Sequence, residues 1–363
     1  MRDNVTAFVD KYKTKALQLN QFNNYFEKLD DGEFFYLLPN TKYSVKERLN
    51  LEIELAKLNK LPGTDALIEA SKELTSKLFD NYEMVSFKTE KKFYIGEPDR
   101  RKRVCRFCDE KQPVVTFKNE SHAISEALGN KCIIVNDECD TCNERFGKYL
   151  EPDFIDYLSI YITHFGIKGK EGVPKRIGEN FEFSHLGNKS VSLEYVVDDN
   201  YIGSTPPEKI KLITFDELSI QNIYKTICKY ALSVIDAKYI VHFEDTIEWL
   251  KTDFYRDRLP KVAVLSSYNF FSEHPQIIIY IRKNEDKNLP YMVGEFQLTF
   301  LKFVFIVPFC KMDEKTFVYE AEYKKFWDCF AHYNKVTTWK FCDFSDAVRR
   351  KVEFNFTLKK NEP

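Results

Sequence analysis

Two Cys-x-x-Cys pairs, Cys105/Cys108 and Cys139/Cys142, bracket a single histidine, His122. A segment so constrained is expected to fold around a metal. Zinc takes four thiolates in a tetrahedron, and two knuckles drawn together across about thirty residues supply all four. Such a closed shell leaves no position for water or substrate, so the zinc is expected to be structural, and His122 is left over for chemistry.

The residue after the last cysteine, Asn143, stands at the start of an expected helix, where its amide oxygen could ligate a second, harder metal. With the knuckles and His122, the stretch 104–147, VCRFC through ECDTCNERFG, resembles the HNH endonuclease family, in the form where CxxC pairs staple a ββα-metal finger. The resemblance implies that His122 is the general base activating water against a phosphodiester; SHAI stands where the family carries DHI or EHI. An imidazole suits the task, being partly neutral at working pH. Asn143 would hold the catalytic Mg2+ or Mn2+, ions that favour hard oxygen ligands. The middle asparagine, which ties the loop, has two candidates, Asn130 in LGN and Asn136 in VND.

In one place the chain departs from the family. A carboxylate often precedes the histidine there as a metal ligand, and this chain has Ser121. Strand alternation puts Glu120 on the same face as His122 and makes it the favoured substitute. Glu126, Glu144, Glu151, or waters and phosphate are the alternatives.

The approach to the first knuckle is the most basic part of the chain. Between Lys91 and Lys118, nine Lys/Arg stand against four Asp/Glu, with Arg100, Arg101, Lys102 and Arg103 in succession. Beside a phosphodiester-cleaving site such a run is expected to contact phosphates. The loop GIKGKEGVPK, with Lys168, Lys170 and Lys175, is a second candidate contact, a plain surface turn being the alternative. Net charge is only −2, so a nucleic-acid surface must be local.

At 363 residues, with 32 Phe and 21 Tyr, the chain can build two or three packed units. The expected class is α+β: a helical N-terminal region at 1–95, the zinc-bound finger at 96–155 and a mixed α/β unit at 156–363 for target recognition, sensing or partner binding. Helical spacing runs over 5–26, 44–58 and 64–79. Aromatic and β-branched runs predict strands at 261–267, 276–283, 295–307 and 316–321. Scattered remaining cysteines point to a reducing, cytoplasmic setting rather than a disulfide scaffold. No secretory signal is evident, and the most apolar window, 296–310, is too short for a membrane span.

The leading expectation is a metal-dependent endonuclease acting on DNA. The resemblance further implies a role in bacterial anti-phage defence or restriction, with a partner ATPase as one candidate partner. Two rivals remain: a non-catalytic zinc-knuckle module that binds nucleic acid or protein, and an RNase, since such a finger reads backbone rather than bases.

Overall fold

A computed structural model describes residues 2–14, 19, 26, 29, 32–36, 45–60, 75–87, 92–188, 190–196, 209–268, 271–334 and 338–357. The chain divides into two compact units, Met1–Glu73 and Leu74–Pro363. In the first, helices span Arg2–Tyr12 and Val45–Leu58. Most of the helix expected over 64–79 lies outside the described residues.

The second unit is organised by a six-stranded antiparallel sheet, in the order Tyr82–Phe87, Ser272–Arg282, Met292–Thr299, Leu301–Ile306, Val262–Ser266, Lys340–Cys342. Its first strand falls within the stretch expected to be helical. The segment YEMVSF is short enough that its apolar residues suit either period, and pairing along Ile277–Arg282 decides for strand.

Both faces of this sheet are covered, which explains the near-continuous apolar runs. Ile277, Ile279 and Ile281 enter the larger core together with Phe296, Phe303 and Phe305. The alternate residues Tyr280, Val293, Val304 and Ile306 pack on the other side against Phe326, Trp327 and Phe330. Gly294 has no side chain because the Phe305 ring lies where a Cβ would stand, within 2.2 Å.

Segment 295–307 folds as two strands turning at Phe300, with Thr299 at φ 54°. The strand expected at 316–321 is absent: the backbone is irregular until helix Glu320–Trp327 begins. Phe317 there takes φ 56°, incompatible with an extended strand.

A central helix, Ile220–Val234, is buried along almost its whole length. Helix Glu151–Tyr157 packs beside it, tied by Asn222 Nδ2 to Asp153 at 2.6 Å and by Thr226 Oγ1 to the Leu150 carbonyl at 3.1 Å. Phe154 sends its ring against Phe296 and Phe303 of the sheet. The finger therefore shares one continuous core with the sheet and central helix, with Phe107, Phe117 and Phe146 as its contribution. Among the described residues, no helix is long and apolar enough to cross a membrane.

Candidate active site

Zinc-ligand geometry is built into the finger's backbone. Cys105 N–H donates to the Glu110 carbonyl and Asp109 N–H returns to the Cys105 carbonyl, each at 2.8 Å, which curls the first knuckle. Cys139 caps the finger helix Asp140–Tyr149, its sulfur accepting from Cys142 N–H. All four sulfurs lie within 4.8 Å of one another, and Cys108 and Cys139 are 3.8 Å apart. Zn–S bonds of about 2.3 Å set tetrahedral sulfurs roughly 3.8 Å apart, so the cluster fits structural zinc.

Three short strands and the finger helix carry the rest. Ile133–Val135 lies between Phe93–Ile95, which it pairs in parallel, and Ser121–His122, which it pairs antiparallel. Asp140, in the first turn of the finger helix, accepts from Lys118 N–H and Asn119 N–H at 2.9 Å each and from the Thr116 hydroxyl. That clamp draws the segment leading to His122 alongside the helix carrying Asn143. Asn130 is fully buried and uses its whole amide: Nδ2 donates to the Ile124 and Ile133 carbonyls, Oδ1 accepts from Cys132 and Ile133 N–H. Gly129 beside it adopts φ 88°, a left-handed turn natural to glycine.

Glu120, His122 and Asn143 meet in one open cleft of about 430 Å³, lined also by Ser125, Glu126, Glu144, Gly147, Lys148 and Glu151. His122 Nε2 faces Glu126 at 3.8 Å. Burial pushes the His122 pKa below its ordinary value; Glu126 and Glu120 oppose the shift, Lys229 and Lys92 reinforce it. Glu120 pairs with Lys92 at 3.5 Å and stays half exposed. Ser121 Oγ donates to Asn143 Oδ1 at 3.0 Å. The oxygen donors of the cleft, four carboxylates and the Asn143 amide, are of the kind that suits Mg2+ or Mn2+.

Three expected residues, Asn130, Asn136 and Arg103, lie outside the cleft lining. Asn136 accepts from Arg103 at 2.9 Å and does not line the cleft. Arg103 is not a free phosphate contact: it is buried, and its guanidinium also donates to the Glu97 and Pro98 carbonyls. Burial lowers its pKa, with Arg100 adding to the shift. Arg100, Arg101 and Lys102 form an exposed helical turn capped by Asp99, which also pairs with Arg101. Lys168 and Lys170 are exposed, whereas Lys175 pairs with Glu182. Their loop sits on the finger, because a Cβ at Gly169 would stand 3.2 Å from the Ala127 backbone, where a side chain would crowd.

Several residues beneath the cleft were not foreseen. Lys229 of the central helix, almost wholly buried, lies 3.1 Å from Glu151 and 3.4 Å from Glu138 and donates to the His122 carbonyl at 3.4 Å. Burial alone would favour neutral Lys229, but the two carboxylates over-compensate and its pKa lies above the ordinary lysine value. A signal was present: Lys225 and Lys229 lie four residues apart on one face of a helix rich in apolar residues, and if buried there they require partners. Arg106, inside the first knuckle, grips Asp137 with two hydrogen bonds of 2.9 Å and reaches the carbonyls ending the central helix.

No curated protein and no solved structure matches the chain. One family model does match, over residues 105–159, the segment that holds the four cysteines, the cleft histidine and the finger helix. Its description is HNH endonuclease, and by this match the chain carries an HNH domain of that nuclease family.

Proposed function

We propose that the chain is a divalent-metal-dependent endonuclease hydrolysing phosphodiester bonds in DNA, with His122 as general base. The observation that carries this is the shared cleft: an imidazole, a carboxamide and four carboxylates converge on one open space beside a zinc-stapled helix. Such an acidic cleft repels a phosphate backbone unless a cation stands between them. Asn143, with Glu120 or Glu126, would hold Mg2+ or Mn2+, which supplies charge stabilisation at the scissile phosphate and leaving 3′ oxygen.

His122 takes a proton from the attacking water as the new P–O bond forms, and the 3′ oxygen leaves with its bonding electrons. Its lowered pKa keeps the ring neutral and ready near pH 7. Glu126, 3.8 Å from Nε2, stabilises the imidazolium so formed. Arg100, Arg101, Lys102, Lys168 and Lys170 are the phosphate contacts of this reading. Family resemblance extends it to a cytoplasmic role in bacterial defence or restriction, with an ATPase as candidate partner.

Purified protein incubated with supercoiled plasmid, linear duplex or RNA, with Mn2+ or Mg2+ against EDTA, tests the reading. Metal-dependent nicking or linearisation of plasmid is expected. Cleavage of RNA alone would make it an RNase. Binding without cleavage of any substrate would make the finger a recognition module.

A further inference from the structure

Tyr94 and His122 stand in one row of the finger's small sheet. Tyr94 pairs with Ile134 in parallel and His122 pairs with the same Ile134 antiparallel, so the three side chains leave the sheet on one face. The neighbours Ile133 and Val135 point the other way, into the large core, as does Ile95 next to Tyr94. Two interstrand steps of about 4.8 Å put the Tyr94 backbone roughly 10 Å from that of His122. Lys92 and Glu120, two residues before Tyr94 and His122, also meet: Lys92 Nζ lies 3.5 Å from both oxygens of Glu120, a cleft carboxylate, and 6.0 Å from the centre of the Tyr94 ring. Phe93–Ile95 is the edge strand of its three-stranded sheet, and Tyr94 is 52% exposed there. An aromatic ring thus stands open to solvent on the face of the catalytic cleft, with a cation beside it and no part in the core.

We infer that Tyr94 is a further substrate-binding residue, on whose ring an unpaired base flanking the scissile phosphate stacks while Lys92 answers the adjoining backbone phosphate. This rests on the reading of the cleft as a phosphodiester-cleaving centre, and it narrows the substrate to strands with an unpaired base beside the cut, such as single strands, gaps or flaps. Stacking suits the position because every base offers a π face, and a ring that takes it needs no hydrogen-bonding partner in the protein. Bases inside a duplex cover one another and leave the ring nothing to grip. Charge favours the same occupant: Lys92 lies beside the ring, and the exposed turn Arg100–Lys102 follows soon after the strand. Glu120 does not block the contact, since both members of its pair with Lys92 are half exposed and a phosphate can compete for so weak a bridge.

Fluorescence anisotropy of labelled oligonucleotides on the full-length, zinc-loaded protein reads this without recourse to cleavage, with Ca2+ in place of Mg2+ as an ion that also takes oxygen ligands. Tyr94→Leu, which keeps an apolar cover over Ile134, should weaken binding of a single strand by about tenfold, the scale of one lost base stack, and leave binding of a long blunt duplex unchanged. Tyr94→Phe, which keeps the ring, should bind as the parent does. A strand of abasic deoxyribose phosphates should bind the parent and Tyr94→Leu equally, because the ring has no base to hold. Zinc content and the unfolding midpoint of Tyr94→Leu should match the parent, separating contact from folding. Parental affinity of Tyr94→Leu for the single strand would overturn the stacking site and leave the nuclease reading standing. Equal losses on single strand, duplex and abasic strand would overturn it too, making Tyr94 a backbone contact or a structural residue. A parent that binds none of the three would remove nucleic acid as the occupant of this face, and the nuclease reading with it.

Discussion

Arg106 holds Asp137 through two parallel hydrogen bonds of 2.9 Å, and its remaining nitrogen caps the carbonyls of Leu232, Ser233 and Ile235. Both side chains are buried, so one guanidinium closes the first knuckle and bolts it to the end of the central helix. Replacing Arg106 by Met leaves a buried carboxylate and three carbonyls unanswered. A loss of about 3 to 5 kcal/mol is expected, the range for breaking a buried pair. Urea unfolding of the variant should show it, and adding Asp137→Asn should recover part. An unchanged midpoint would mean that the finger does not depend on this anchor.

Zinc should accompany the purified protein at about one equivalent per chain, four thiolates contributing folding free energy on the order of 10 kcal/mol. Cys139→Ser removes a zinc ligand while its hydroxyl can still cap the finger helix, so the lost metal alone should make solubility fail before specific activity does. Folded protein without zinc by elemental analysis would contradict the assignment.

His122→Ala should lower cleavage a hundredfold or more while zinc content and nucleic-acid binding stay near parental, because a general base acts in the chemical step alone. Only the main chain of His122 is engaged by Lys229, and truncation leaves that contact in place. Plasmid cleavage at the parental rate would rule out His122 as the base.

The finger was legible in the sequence because metal ligation fixes spacing: four cysteines at two x2 intervals dictate where His122 and Asn143 fall. What surrounds them was not, because it depends on partners distant along the chain. Lys229 is 107 residues from the His122 carbonyl it meets. Arg103 reads as one more charge in a basic run, and only the carbonyls of Glu97 and Pro98 and the amide of Asn136 show it turned inward. The strand at 82–87 exists because the edge of Ser272–Arg282 accepts it, a pairing its six residues do not announce. At 316–321 the composition favours a strand, but Phe317 at φ 56° leaves the extended region before one can form.

Acid should destabilise the second unit through His332. Burial pushes its pKa down to about 4, with Glu295 opposing and Lys302 reinforcing the shift. The unfolded chain takes up a proton near pH 6.5, before the folded state does. Stability is therefore complete above about pH 6.5 and falls progressively as pH drops toward 4, by up to about 3 kcal/mol for this group. The difference in urea midpoint between pH 7.5 and pH 5 should shrink in His332→Gln. An equal difference in both proteins would place the acid sensitivity elsewhere.

Neutralising Arg100, Arg101 and Lys102 together should weaken binding to any duplex and flatten its salt dependence, since counterion release scales with the phosphates neutralised. Arg103 is expected to behave differently. Its guanidinium is spent on Glu97, Pro98 and Asn136, so Arg103→Ala should cost stability and leave the salt slope nearly unchanged. Lys168 and Lys170 provide a second test, because Gly169 seats their loop against the turn that also carries Glu126 of the cleft. Removing both charges should lower the slope further, whereas Lys175, paired with Glu182, should contribute less. The preferred cleavage sequence should survive all of these changes, because phosphate contacts position a protein on its substrate and do not read bases. A slope unaltered by the Arg100, Arg101 and Lys102 variant would show that this turn faces solvent and that the backbone track runs elsewhere.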